Sequence, residues 1–139
     1  MTSLSAAESS FTRAKIILEE AETLSASGHW SLAVRRSQES VESALKGALT
    51  WAGVAVPKVH DVGPLLRQQA DRFPTGFAAA IPQLASISRG LRAERELSFY
   101  GDPESGIPPE ALYARDDALD ALRKARFSLE HCESLLAGE

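Results

Sequence analysis

Apolar residues recur along this chain at spacings of three and four, and the recurrence divides it into helices. The strongest pattern runs from Trp30 to Gly53. There Trp30, Ala33, Val34, Val41, Ala44, Leu45, Ala48, Leu49 and Ala52 fall on one stripe of a helical period. This is one long amphipathic helix, and the rest of the chain is organised around it. Ser37 interrupts the stripe with a small side chain that admits another helix at close range. Gly53 stops it, since glycine enters the left-handed cap conformation at little cost.

Upstream, Leu4, Ala7, Phe11, Ala14, Leu18 and Ala21 alternate by three and four, a narrow stripe suited to packing along a second helix over Leu4–Ser25. Gly28 closes it, and the short turn to Trp30 makes the two helices an antiparallel hairpin. Pro57 marks a loop after Gly53. Asp61 then stands at an N-cap position with Pro64 in the first turn, which predicts a third helix over Val62–Phe73 burying Val62, Leu65, Leu66 and Ala70. Pro82 predicts a short turn over Phe77–Ala80 and a fourth helix from Ile81, with Ile81, Leu84, Ile87, Ser88 and Leu91 inward. Ser98–Ala114 holds three prolines and two glycines and reads as a loop without secondary structure, a feature often functional. A last helix, Asp116–Ala137, buries Ala118, Leu122, Ala125, Leu129, Cys132 and Leu136, with Asp116 and Asp117 at its positive end. The expected fold is all-α. It is an up-and-down bundle of four to five helices with a long antiparallel N-terminal hairpin, forming a single domain over residues 1–139.

Composition agrees with a globular protein: 44% of the 139 residues are hydrophobic and 24% charged. No apolar run approaches the roughly 20 residues that span a bilayer. The N-terminal MTSLSAAESSF has neither the basic start nor the apolar core of a signal peptide. A cytoplasmic protein without membrane contact is the expectation. The net charge of −4 gives no whole-surface attraction to nucleic acid, so an RNA or DNA contact needs a local basic patch. The single cysteine excludes an internal disulfide and a zinc-finger spacing.

Candidate chemistry is sparse. His60-Asp61 resembles the metal dyad of HD-type phosphohydrolases, but flanking helices offer no further ligands. Asp61 therefore reads as a cap, and His60 as a side chain bonded locally. His131 and Cys132 diverge by about 100° on their helix and cannot share a metal. No metal site or cofactor is expected, no Gly-rich phosphate loop exists, and Cys132 lies on a buried stripe. Gln38 and Glu42, with His60 and Asp61, read as structural polar residues. The constellation of interest is Arg89, Arg92 and Arg95, running into Phe99-Tyr100-Gly101-Asp102. Arginines three apart share a side of a helix, and guanidiniums grip phosphate oxygens. Tyr100 can stack on a base, and Asp102 lies beside it. The competing reading pairs these arginines with Glu39, Glu42 and Glu94 on a solvated face, and spacing alone favours it.

Four pieces tip the balance: AVRRSQESVESALKGAL, VPKVHDVGPLL, LRAERELSFYGD and IPPEALYARDDALDALRKARFSLE. In that order they resemble the HEPN domain, a small helical family, over nearly the whole chain. The pattern from Gln38 to Lys46 followed by His60-Asp61 is the most specific part. The resemblance implies a homodimer joined through the long helices. Many members are metal-independent RNases with an arginine and a histidine separated by four to six residues. Others bind nucleotides or partner proteins, and many are encoded beside a minimal nucleotidyltransferase as toxin and antitoxin. Arg95 matches the motif arginine, but Tyr100 stands where histidine belongs, and Phe99 is seven residues after Arg92. The imidazole that organises attack by the 2′-hydroxyl is missing, so the catalytic residues are undetermined and binding is favoured over catalysis. The leading expectation is a dimeric regulatory protein that binds nucleotide or RNA beside a nucleotidyltransferase partner, with Arg89, Arg92, Arg95, Tyr100 and Asp102 as its site. A toxin RNase using Tyr100 and a purely structural helical adaptor are the alternatives.

Overall fold

Thr2 opens the first helix. Its hydroxyl accepts from the Ser5 amide at 3.1 Å, and its own amide donates to the Ser5 hydroxyl at 3.0 Å. The computed structural model describes residues 2–137. Helix α1 spans Ser3–Ala26 and α2 spans Trp30–Trp51. Gly28 and Gly53, at φ of 82° and 77°, close them. The amides of His29 and Val54 return to the carbonyls of Leu24 and Leu49, the six-to-one bond of a glycine-terminated helix.

The hairpin packs as the spacing requires, with Ala7, Phe11, Ala14, Leu18 and Ala21 buried. Leu4 is the exception at 50% exposure, because α2 ends opposite it at Trp51. The close approach of the two helices lies along Ser40, Ser43 and Gly47. Ser40 donates to the Ala14 carbonyl at 2.8 Å and Ser43 to the Ser10 carbonyl at 3.1 Å, while Gly47 faces the Phe11 ring. Ser37 is fully buried as well, but its hydroxyl turns back to the Ala33 carbonyl of its own helix.

The third helix is shorter than the pattern indicates. Helix α3 covers Gly63–Gln68, and a separate 3₁₀ turn covers Ala70–Arg72. The break delivers Phe73 in extended geometry, with its ring 4.5 Å from that of Phe77 and 6.1 Å from Trp51. Val62, not Asp61, is the capping residue by backbone position. The Asp61 carboxylate still serves the first turn, accepting from the Gly63 amide at 2.9 Å and from the Ser88 hydroxyl at 2.9 Å.

Pro82 does not start a helix. It lies inside α4, which runs unbroken over Thr75–Glu94. An interior proline costs about 3 kcal/mol or more. Against that, Phe77, Ile81, Leu84, Ser88 and Leu91 form one buried stripe, and a break would remove Phe77 from it. Ile81 also precedes Pro82 on this stripe, and burying each of the two side chains is worth about 1.5–3 kcal/mol, so together they offset the proline and the helix stays continuous.

The segment expected to lack secondary structure has some. Helix α5 covers Leu97–Tyr100 and α6 covers Pro109–Leu112, and an isolated antiparallel bridge joins Asp102 to Ile107. Buried Ser98 and the Tyr113 hydroxyl, which donates to Glu94, tie this segment to the bundle. Helix α7 spans Arg115–Ser134, and the Asp117 carboxylate accepts from the Ala114 amide at 2.8 Å. A 3₁₀ turn over Leu135–Ala137 follows. Tightening to three residues per turn moves the inward position from Leu136 to Leu135. Leu135 is buried and Leu136 is 41% exposed. Burial also pushes the Cys132 thiol well above its ordinary pKa, which fits a core side chain.

Helix α2 is the hub, packing against α1, α4, α5, α6 and α7. Among the described residues no helix is long and apolar enough to cross a membrane.

Candidate functional site

A cavity of about 400 Å³ opens between α1, α2 and the break separating α4 from α5. Its longest wall is a polar stripe of α2. Glu39, Glu42, Lys46 and Thr50 fall three or four apart and share one side of the helix, with Ser43 next to Glu42. Helix α1 contributes Ser10, Arg13 and Ile17, and the loop after α2 contributes Val56. Arg95 enters from the end of α4.

Its two carboxylates are already engaged. Glu42 accepts from Lys46 at 3.1 Å, and from the Gln38 amide and the His60 Nδ1, both at 2.9 Å. Burial works to raise the Glu42 pKa, but the bonds from Lys46, His60 and Gln38 outweigh it and hold the group below the ordinary carboxylate range. Glu39 meets Arg36 at 3.0 Å and Arg35 at 3.9 Å. The cations Arg13 and Arg95 have no carboxylate within salt-bridge distance among the described residues.

Arg95 is the more unusual of the two. Its Nε and Nη1 are buried and find no protein acceptor, and the Gln38 Oε1 is the third such atom among the described residues. All three belong to this one neighbourhood, since Gln38 holds Glu42 and Glu42 shares the cavity with Arg95. Buried polar groups are nearly always bonded, and leaving one unbonded costs about 1–3 kcal/mol. A guanidinium so placed is suited to the oxygens of an anion.

The family model of the HEPN domain matches residues 7–135, nearly the whole chain. The chain belongs to the HEPN domain family. No curated protein and no solved structure matches it.

In this HEPN domain the arginine series does not act as a unit. A step of three residues turns a helix by about 300°, so each arginine is displaced about 60° from the last. Arg89 is exposed and Arg92 half-buried, and neither lines the cavity. Only Arg95, just past the end of α4, enters it. Tyr100 is 67% exposed, with its ring edge-on to Phe99, outside the cavity. Asp102 builds a turn. Its amide donates to the Ile107 carbonyl, its carboxylate accepts from the Glu104 amide at 3.0 Å, and bonds from Ser105 and Glu104 lower its pKa. The pairing of the arginines with Glu39, Glu42 and Glu94 is likewise not formed, because those carboxylates are taken by Arg36, by Lys46 and His60, and by Tyr113.

Gln38, Glu42 and His60 form one connected network at the cavity wall, whereas Asp61 serves the α3–α4 contact. Among the described residues no three His, Cys, Asp or Glu side chains gather as a metal site requires. Arg13 and Lys46 were not distinguished as site residues by motif. The signal that locates them is periodic: polar positions on α1 and α2 repeat at helical spacing beside the apolar stripe.

Proposed function

We propose that this HEPN domain is a binding or regulatory protein whose Arg95 cavity holds a phosphate group of a nucleotide or of a short RNA. The observation that carries this reading is the Arg95 guanidinium, whose buried Nε and Nη1 have no protein acceptor beside two carboxylates that other cations already neutralise. The phosphate would meet a local positive site on a chain of net charge −4. That is the local patch an acidic protein needs for such a ligand. Arg13 at the rim supports the same ligand charge.

The wider reading is a homodimer in a toxin–antitoxin type system with a nucleotidyltransferase partner. Supporting the dimer, Ile16 is 55% and Leu32 38% exposed on the hairpin. Ile16 and Leu24 also line a shallow depression of about 570 Å³ with Glu19, Glu20, Thr23 and Arg36. Elsewhere on and just after the hairpin, Ile17 is half-buried, and Trp51 and Val54 pack partly against the core. The RNase alternative needs Tyr100 beside Arg95 at the reacting phosphate, and Tyr100 lies outside the cavity. The adaptor alternative gives no reason for an unpaired, half-buried arginine.

Arg95→Ala tests the reading. A charge-assisted bond is worth about 1.5–3 kcal/mol, so affinity for ATP or a short RNA falls roughly ten-fold or more while the fold survives. Titrating the two ligands separately identifies which carries the phosphate. A native protein that binds neither, or an Arg95→Ala protein that binds as well as native, removes the proposal.

A further inference from the structure

Arg35 stands behind the cavity rather than in it. Its side chain is 14% exposed, and it touches three things at once. Its Nη1 donates to the main-chain carbonyl of Arg95 at 2.6 Å. Its guanidinium carbon lies 4.9 Å from the centre of the Phe99 ring. Its Nε is 3.9 Å from the Glu39 carboxylate in the cavity wall.

The backbone explains why that carbonyl is available. Where α4 hands over to α5, the amide of Arg95 returns to Arg92, and the amides of Phe99 and Tyr100 both go to the Glu96 carbonyl. Among the described residues no backbone amide bonds to the Arg95 carbonyl, and the Ser98 hydroxyl adds a longer bond at 3.4 Å. A carbonyl at the C-terminal end of a long helix carries partial negative charge, which a guanidinium neutralises. The same cation lies against the ring of the residue four positions on. One side chain of α2 thus grips both sides of the α4–α5 step.

We propose that Arg35 is the positioning residue of the Arg95 cavity. By fixing the angle between α4 and α5 it sends the Arg95 side chain inward and leaves Phe99 and Tyr100 turned outward, 47% and 67% exposed. The inference rests on reading the Arg95 cavity as a phosphate site, so it predicts a binding defect in a protein that keeps Arg95 intact.

The test follows the native protein, Arg35→Ala, Arg35→Lys and Phe99→Leu, with Arg95→Ala as reference. Each is titrated with ATP, and the Arg95 Nε–H signal is followed by NMR for exchange with water. Arg35→Ala is expected to weaken ATP binding about ten-fold and to speed Nε–H exchange at least as much. Arg35→Lys regains part of both, because an ammonium still donates to the carbonyl but does not spread over the ring. A folded Arg35→Ala protein with native affinity and native exchange overturns the proposal. So does a variant that melts earlier while Arg95 exchange stays unchanged. If Arg35→Ala does not fold, Arg35→Lys and Phe99→Leu carry the same measurements, and native behaviour in both is again a refutation. If the native protein does not bind ATP, the phosphate reading fails, while the exchange of Arg95 Nε–H still decides the role of Arg35.

Discussion

Gly47→Ala and Gly90→Ala make the same chemical change inside two long helices, and packing should give them opposite signs. A methyl group in place of a helical glycine proton stabilises by roughly 1 kcal/mol through helix propensity. At Gly90 nothing lies within 4 Å of the added carbon, so that gain stands alone. At Gly47 the added carbon falls 2.7 Å from the Phe11 ring and 2.8 Å from the Ser10 Cβ. Carbon atoms rest about 3.5–4.0 Å apart, so α1 must retreat by roughly 0.8 Å. Neither neighbour yields easily: Phe11 is 2% exposed, and the Ser10 Cβ moves only with the backbone. Overpacking of this kind costs about 1–3 kcal/mol. Retreat also stretches the bonds from Ser40 and Ser43 to the carbonyls of α1. The difference of about 0–2 kcal/mol, with the stretched bonds added, leaves a net loss of about 1–2 kcal/mol, roughly 3–7 °C in melting temperature for a chain of this size. Thermal and urea unfolding followed by circular dichroism measure both variants. Equal stabilisation by the two substitutions would refute the close α1–α2 seam. Since Ser10 and Ser43 line the cavity, Gly47→Ala should also weaken ATP binding.

Tyr113→Phe removes the hydroxyl that joins the segment before α7 to Glu94 and should cost about 1–2 kcal/mol, read as a lower melting temperature, because the pair is only partly buried. No change would show that the pair holds nothing in place. Stability should fall with acid through Glu42: its folded pKa lies below the ordinary 4.5, so its contribution is fully present above that pH and is lost as pH drops through the folded value. Glu42→Gln should flatten that acid limb, and superimposable pH profiles would count against the network. Sedimentation at micromolar concentration should show a dimer that Ile16→Asp dissociates, since an exposed apolar face is the surface being covered. A native protein that sediments only as monomer rejects the dimer.

Period placed the start of α7 within one residue, while its last three expected residues form the 3₁₀ turn. Period and glycine stops made α1 and α2 legible within a residue or two, because a buried stripe and a left-handed cap are both local signals. Two kinds of feature were not. Pro82 argues locally for a helix start, and only the positions of Phe77 and Ile81 in the core show that continuity wins. The 3₁₀ turn over Ala70–Arg72 similarly answers a tertiary demand, the placement of Phe73 between Trp51 and Phe77. The α1–α2 seam was hidden for a different reason. Ser40, Ser43 and Gly47 interrupt a hydrophobic pattern, yet they are the contact, with serine hydroxyls bonded to backbone carbonyls that a larger side chain would hold away.

The site shows the same division. Arg95 was visible as one of three arginines at regular spacing, but spacing cannot tell which member meets a cavity. That depends on where α4 ends, and it ends one residue before Arg95. Arg89 and Arg92 stay on the helix, each displaced about 60° from the next and outside the cavity, while the Arg95 amide tightens to a three-residue bond with the Arg92 carbonyl at the break. What holds the break is Arg35, a residue sixty positions earlier that looks like one more charge on a solvated face of α2. Its role exists only once the carbonyl of Arg95 loses its helical partner and Phe99 turns beneath the guanidinium. A charge pattern records which residues can pair. The geometry of the α4–α5 step decides that this arginine bonds to backbone, and that another is left with donors to spare.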